Sequence, residues 1–297
     1  MKNKEVVVIG AGTMGNGIAQ VFAMNGFRVQ LYDVFHQALD RALVTIQNNL
    51  ARMEKKGLIT PDDSRAALHN IITTVDLNTT VKHAALVIEA ATENIDLKLE
   101  IFKKMDVLVN DDCILATNTS SISITKIATV VSHPERVIGM HFMNPVPIMK
   151  LVEVIRGYNT SDDITIQILE LSKALGKDPV EVNDYPGFVA NRILMPMINE
   201  SIFALYEGVA GVQEIDTVMM LGMAHPMGPL ALADFIGLDV CHSILQIMYQ
   251  GFGNPKYAPC PLLTNMVVAG KIGRKSGEGF YQYGADPKVY QVSSKFT

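Results

Sequence analysis

The sequence predicts an α/β protein in which a doubly wound, mostly parallel sheet is followed by an all-helical C-terminal domain. Short β-branched runs alternate with helix-length segments up to about residue 182, the pattern of parallel strands joined by crossover helices. The first strand runs directly into a glycine-rich turn and a helix. Beyond Asn183-Asp184-Tyr185-Pro186-Gly187 only helix-length apolar segments follow to about residue 270, punctuated by glycine and proline. These observations divide the chain into residues 1–183 and residues 184–297.

Strands are expected at residues 5–9, 28–32, 71–75, 86–90, 113–117, 136–142, 151–155 and 179–182. Most are short and rich in Val, Ile, Leu or Thr, as strands covered on both faces are. Helical periodicity places helices at residues 13–25, 35–56, 96–108, 122–131 and 162–175. Gly176 closes the last of these in the usual C-terminal glycine position. In the second domain, Phe188 to Tyr206 is apolar on most of its circumference and is expected to be buried all round. Pro196 cannot donate to the carbonyl of Arg192, which predicts a kink near Asn191 and Arg192. The tail after Tyr283 has no periodicity and is expected to fray.

A chain of 297 residues that is 48% hydrophobic can bury a large core, which excludes disorder for its bulk. Its charged fraction of 19% and mean hydropathy of +0.21 point to further apolar burial, in a second core or in the subunit interface of a homo-oligomer. A net charge of −5 provides no field that would draw the chain to nucleic acid or anionic lipid. The uninterrupted apolar runs are far shorter than the roughly 20 residues of a membrane span. The first strand begins at Glu5, so no targeting segment is expected and the location expected is cytoplasmic. Cys113, Cys241 and Cys260 form no C-x-x-C pair, which leaves buried free thiols as the simplest reading.

The strand Val6-Val7-Val8-Ile9 continues into Gly10-Ala11-Gly12-Thr13-Met14-Gly15, a G-x-G-x-x-G turn that opens a helix. Such a Rossmann-type turn uses its glycines for a tight bend, for close approach to a pyrophosphate and for helix–strand packing. Unsatisfied N–H groups and the dipole at the helix start supply the anion site. Loops also produce this pattern by chance, so its context matters. The next strand ends in Asp33, 18 residues beyond Gly15, where a carboxylate can accept both hydroxyls of an adenosine ribose and would repel a 2′-phosphate. The cofactor expected is therefore NAD.

Ligands of open α/β sheets bind beyond the carboxyl ends of the strands. Polar residues cluster at three such ends: Glu89 to Glu93, Asn118-Thr119-Ser120-Ser121, and His141 before Asn144-Pro145. If the strand starting at Leu151 returns antiparallel, a register centred on Pro147 sets His141 opposite Glu153 on one sheet face. Taken singly, His141 reads as a satisfied core histidine and Glu153 as a salt-bridged strand residue. Taken together at a nucleotide-binding strand end, they read as an acid–base pair. His36, His69, His83, His133, His225 and His242 have no such partner in sequence, and no H-E-x-x-H or other metal pattern is present.

These residues resemble the L-3-hydroxyacyl-CoA dehydrogenase family, and within it the stand-alone bacterial branch acting on 3-hydroxybutyryl-CoA. The resemblance spans nearly the whole chain: Gly10 to Gly15, Asn118 to Ser121, His141 to Glu153 (HFMNPVPIMKLVE), Pro186 to Arg192, Met227 to Leu230 and Gly273 to Tyr281. It implies NAD-linked interconversion of (S)-3-hydroxyacyl-CoA and 3-ketoacyl-CoA by a homodimer built through the C-terminal domain. It also implies that His141 is the catalytic base, Glu153 its partner, Ser120 a contact of the substrate's 3-oxygen, and Asn191 the second domain's contribution. By the same similarity Glu93, Lys98, Asn118, Ser120, Asn144 and Lys275 fall at cofactor contacts, and Lys56 at a contact with coenzyme A. Ala231 departs from the pattern, where the family often carries glutamate.

Arg52, Lys55 and Lys56 occupy i, i+3 and i+4 of a predicted helix, which places three cations on one face. That face could hold the phosphates of coenzyme A or simply be solvated. Two rival readings stand beside the dehydrogenase. A 3-hydroxyisobutyrate-type enzyme would resemble this layout but use a lysine, and a non-catalytic nucleotide-binding protein would not need Ser120, His141, Glu153 and Asn191 together.

Overall fold

The structure, a computed structural model, describes residues 4–284, 286 and 290–297. The chain separates into two compact units, one ending at Tyr185 and the other beginning at Pro186.

The first unit contains β1 (Glu5–Ile9), α1 (Thr13–Met24), β2 (Arg28–Tyr32), α2 (His36–Lys55), α3 (Pro61–His69), β3 (Ile71–Thr74) and α4 (Leu77–Thr80). It continues through β4 (Leu86–Glu89), α5 (Ile95–Leu108), β5 (Ile114–Thr117), α6 (Ile124–Ala128), β6 (Val137–Phe142), β7 (Leu151–Arg156), α7 (Asp162–Ala174) and β8 (Asp178–Asn183). The eight strands form one sheet in the order β3-β2-β1-β4-β5-β6-β7-β8. Neighbours are parallel except β6 and β7, which run antiparallel. The chain crosses the sheet between β3 and β4, so the switch point of the topology lies between β1 and β4.

Central strands β4, β5 and β6 are buried along their whole length. This is the result of covering a parallel sheet with helices on both faces, and it explains the continuous apolar runs. Val6, Val8, Ile88, Ala116 and Ile138 of the sheet share a core with Ile18 and Phe22 of α1, Ile46 and Leu50 of α2, and Ile168 of α7. The helix starts are set by side-chain caps: Asn94 accepts from Leu97 N–H, Ser123 from Lys126 N–H and Ser161 from Ile164 N–H.

Two helices were not expected from periodicity. The start of α3 is nonetheless written in the sequence: Thr60 and Asp63 form a capping box around Pro61 at the first helical position. The single-turn α4 begins at Asp76, whose side chain accepts from Asn78 N–H. The helix expected over residues 122–131 is shorter, because Ser123 provides its cap and the chain turns after Ala128.

The second unit contains α8 (Ala190–Tyr206), α9 (Val212–Gly222), α10 (Pro229–Ile236), α11 (Leu238–Phe252), α12 (Pro261–Val268) and the short antiparallel pair β9 (Tyr281–Tyr283) and β10 (Tyr290–Val292). Its core gathers Ile198 and Ile202 of α8 with Leu230, Leu245, Met248, Leu263 and Phe280. Among the described residues no single helix is long and apolar enough to cross a membrane, and α10 and α11 meet at 95°.

Two expectations about this unit are corrected. Helix α8 is not buried all round: Met195, Ile198 and Ile202 face the core, while Ile193 is 68% exposed in the single chain. Pro196 stands inside the helix, as the sequence places it. The tail after Tyr283 does not fray over its described part, since β10 pairs with β9, Ser293 N–H donates to Phe280 carbonyl, and the Phe296 ring lies 5.8 Å from that of Phe280. Residues 285 and 287–289 of the tail lie outside the described residues. All three cysteines are free and buried, and burial pushes the Cys113 and Cys241 thiols up to about 12.

Candidate active site

The glycine turn follows β1 at the carboxyl end of the sheet. Gly10 adopts φ +101°, and a Cβ there would lie 2.7 Å from the Ala90 carbonyl oxygen. A Cβ on Gly15 would lie 1.7 Å from the Gly10 carbonyl oxygen, so only glycine lets α1 start this close to the turn. At Gly12 a Cβ would meet no protein atom within 4 Å, which leaves the backbone open to a ligand at the start of α1. Thr13 is exposed beside it and Met14 half-buried.

Asp33 follows β2. Its Oδ2 accepts from Ala11 N–H at 2.8 Å and its Oδ1 from Phe35 N–H at 3.0 Å, so one carboxylate ties the turn to the end of the neighbouring strand. A carboxylate has capacity for more than two donors, and Asp33 borders a cavity of 560 Å³ with Gly10, Gly12, Phe35, Ala90 and Leu97. A predominantly apolar cleft with a carboxylate and an open helix start fits an adenosine and a pyrophosphate.

The carboxyl ends of β4 and β5 lie beyond the switch point. Asn118 N–H donates to the Glu89 carbonyl at 2.7 Å, and Asn118 Oδ1 accepts from Phe142 N–H at 2.9 Å, joining the ends of three strands. Glu93 gathers the serine loop: its Oε1 lies 2.6 Å from Thr119 Oγ1, 2.8 Å from Ser120 N and 3.1 Å from Ser120 Oγ. The same oxygen is 3.1 Å from Ser121 N and 3.0 Å from Ser121 Oγ. Burial raises the Glu93 carboxyl, but Lys98 and these donors outweigh it and hold the group below the usual carboxylate range.

His141, 8% exposed, sits near the end of β6, and β7 pairs with β6 so that His141 faces Glu153. That register is the one a turn centred on Pro147 predicts. The Nδ1 atom of His141 lies 2.7 Å from Oε2 of Glu153, and Glu153 is 2% exposed. The connecting turn, which contains a cis Asn144–Pro145 bond, packs on α1: a Cβ on Gly17 would lie 2.8 Å from Cβ of Val146. Lys177 holds the turn from the other side by donating to the carbonyls of Val146 and Met149. Asn144 is exposed on the same turn.

The remaining residues singled out in the sequence are distributed as follows. Arg52 and Lys55 are exposed in the last turn of α2, with Lys56 next after it. Among the described residues none of the three is in an ion pair. In the second unit, Asn191 is 8% exposed in the first turn of α8, and Lys275 Nζ pairs with Asp239 Oδ2 at 2.6 Å. Ala231 is buried near the start of α10, where its N–H and that of Leu230 donate to the Asp216 carboxylate. One statement about the histidines is corrected: His133 does have a partner, Glu135, at 3.0 Å, although both are largely exposed.

Sequence reasoning did not foresee the environment of Lys98. Its side chain is 1% exposed, and its ammonium is held by Glu89, which is 0% exposed. The i+9 spacing on two different elements carries no helical or strand period, so no local signal pointed to the pair.

A switch-point crevice with a glycine turn, a carboxylate at the end of the neighbouring strand and a buried histidine–carboxylate pair belongs to a nucleotide-dependent oxidoreductase. The chain is a member of the 3-hydroxyacyl-CoA dehydrogenase family: residues 5–185 match its NAD-binding domain and residues 187–283 its C-terminal domain. It is 53% identical over 283 residues to a probable 3-hydroxybutyryl-CoA dehydrogenase of Bacillus subtilis, covering 95% of this chain and 98% of that protein. It is 42% identical to the human mitochondrial hydroxyacyl-coenzyme A dehydrogenase, with 94% and 91% covered. The crystal structure of (S)-3-hydroxybutyryl-CoA dehydrogenase from Ralstonia eutropha is similar at TM-score 0.91 and 49% identity, with 95% of this chain and 99% of that one covered. The first unit is thus an NAD-binding domain, and the glycine cradle and Asp33 are suited to that cofactor.

Proposed function

We propose that this chain interconverts (S)-3-hydroxybutyryl-CoA and acetoacetyl-CoA with NAD(H), using His141 as the acid–base group and Glu153 as its partner. The observation that carries this reading is the 2.7 Å contact between His141 Nδ1 and Glu153 Oε2 at the nucleotide-binding end of the sheet. The substrate class is supported by relatives at 53% and 50% identity that carry the name 3-hydroxybutyryl-CoA dehydrogenase.

Gly10, Gly12, Thr13, Met14 and Gly15 would hold the pyrophosphate, and Asp33 the adenosine ribose. Glu93, Asn118, Ser120 and Asn144 would serve the second nucleotide from the β4–β6 side, with Lys275 contributed by the second unit, while Lys98, sealed against Glu89, would act on it through Glu93. The bound cofactor supplies or accepts the hydride at the substrate's C3 carbon. A carbinol that gives up hydride must also lose its hydroxyl proton, because otherwise a protonated ketone would form. His141 takes that proton on the nitrogen not engaged with Glu153, and Glu153 stabilises the resulting imidazolium. In reduction the imidazolium returns the proton. Ser120 and Asn191 orient the 3-oxygen and stabilise charge developing on it. Arg52 and Lys56 meet the phosphates of coenzyme A, a pairing of exposed cations with a flexible anion.

The same reading places the enzyme in fatty acid and butanoate metabolism, in the cytoplasm, as a homodimer through the second unit. Large apolar side chains exposed in that unit, Ile193 at 68%, Leu221 at 82% and Val268 at 83%, support burial against a second copy. Loss of NADH absorbance on mixing enzyme, NADH and acetoacetyl-CoA is the expected result. No turnover with any 3-ketoacyl-CoA from C4 to C10 would refute the reading.

A further inference from the structure

The proposed chemistry has no role for Glu89, yet Glu89 and Lys98 form a closed ion pair under the carboxyl end of β4. Lys98 Nζ donates to Glu89 Oε1 at 2.9 Å and to Oε2 at 2.7 Å. Thr117 Oγ1 donates to Oε2 at 2.7 Å and Ala91 N–H to Oε1 at 2.7 Å, which leaves the Glu89 carboxylate fully engaged. Beyond the pair, Lys98 Nζ lies 3.7 Å from Oε2 of Glu93. Three charges therefore stand in a row, carboxylate, ammonium, carboxylate, leading from inside the sheet to the serine loop.

An ion pair this deep is expensive to desolvate, and apolar side chains of similar volume would fill the space at least as stably. Its position suggests what it provides. Glu93 Oε2 faces the ammonium, so the other oxygen, Oε1, is turned to the loop, where it meets donors from Thr119, Ser120 and Ser121. Without Lys98, Glu93 would face the buried Glu89 carboxylate and be repelled from this orientation. The Ser120 hydroxyl, at 3.1 Å, is farther from the crowded oxygen than the Ser120 N–H at 2.8 Å. Its proton can turn to a ligand oxygen while the backbone stays anchored.

We propose that Glu89 and Lys98 are positioning residues for Ser120, acting through Glu93 as a buried charge relay that holds the serine loop in its working geometry. The proposal rests on the reading of Ser120 as the residue meeting the substrate's 3-oxygen. It predicts that Glu89 matters to turnover although it is sealed from any ligand.

The test is a double-mutant cycle between E89Q and S120A, read as kcat and KM for acetoacetyl-CoA with a separate Kd for NADH from its own fluorescence. E89Q is expected to lower kcat about tenfold to a hundredfold while KM and the NADH Kd move less than about threefold, and to cost less than about threefold more once Ser120 is alanine. Losses in kcat that multiply in the double variant would overturn the relay, as would an E89Q enzyme with wild-type kcat. If E89Q does not fold, the partly exposed Glu93 takes its place, and multiplicative losses between E93Q and S120A overturn the proposal equally. An S120A enzyme with full kcat would instead remove the role of Ser120 itself, which separates failure of that reading from failure of the relay.

Discussion

The Nδ1 atom of His141 and the Oε2 atom of Glu153 are 2.7 Å apart on directly paired positions of antiparallel strands, both nearly sealed from solvent. Backbone pairing holds the two Cα atoms, so the contact does not rely on flexible loops at either end. For His141→Gln, which keeps the shape but cannot carry the proton, kcat should fall about 10²- to 10⁴-fold. NADH binding, followed by fluorescence titration, should stay near wild type. Near wild-type turnover would remove His141 from the mechanism.

Glu153→Gln keeps a hydrogen-bond acceptor but removes the charge that steadies an imidazolium formed during turnover. It should lower kcat about tenfold to a hundredfold while the NADH Kd from fluorescence titration stays near wild type. A kcat equal to the parent's would count against the pairing.

Asp33 anchors Ala11 N–H, and in the proposed reading it meets the adenosine ribose, where a 2′-phosphate would be repelled. Removing it in Asp33→Ala should lower kcat/KM for NADH about tenfold to a hundredfold, the range of a lost charge-assisted hydrogen bond. The NADPH to NADH ratio of kcat/KM should rise by about an order of magnitude. A ratio that does not move places the specificity elsewhere.

Gly15→Ala tests the close start of α1. Its Cβ would fall 1.7 Å from the Gly10 carbonyl oxygen, and backbone on both sides prevents easy relief. The substitution should cost about 1–3 kcal/mol or more and weaken NADH binding together with stability. A melting temperature and an NADH Kd both equal to the parent's would show that the turn is less tightly packed than described.

Asp234 in the second unit gives a pH signature. Burial pushes its carboxyl from 3.8 up to about 6, against hydrogen bonds from Tyr281 N–H, Phe280 N–H and Tyr283 hydroxyl. A raised carboxyl means that the folded state holds a proton the unfolded chain has released, so stability falls as pH rises through the interval from 3.8 to about 6 and is flat above it. The loss is on the order of 2–3 kcal/mol. Asp234→Asn should erase that component. Urea midpoints at pH 4.5 and pH 7.5 should therefore differ between variant and parent, with the variant relatively better at the higher value. Parallel midpoints would assign the pH dependence to other groups.

The parts of this protein legible in its sequence are those encoded by neighbours in the chain. The glycine turn, Asp33 at the next strand end, and the register of His141 with Glu153 all depend on short segments and on the periods of strands and helices. The start of α3 is equally local, in Thr60-Pro61-Asp62-Asp63, but its helix is too short for periodicity to reveal it. Other features came only from tertiary structure. Glu93 meets donors 26 to 28 residues away. Lys98 is sealed against Glu89 on a different element. Asp216 and Asp234 reach Tyr281 across 65 and 47 residues. Strand β10 finds its partner in β9, and Ile193 is left outside the core of its own unit. Hydrogen bonds and ion pairs between distant residues leave no period in a sequence, because what selects them is the place where the folded sheet and helices bring polar atoms together out of water.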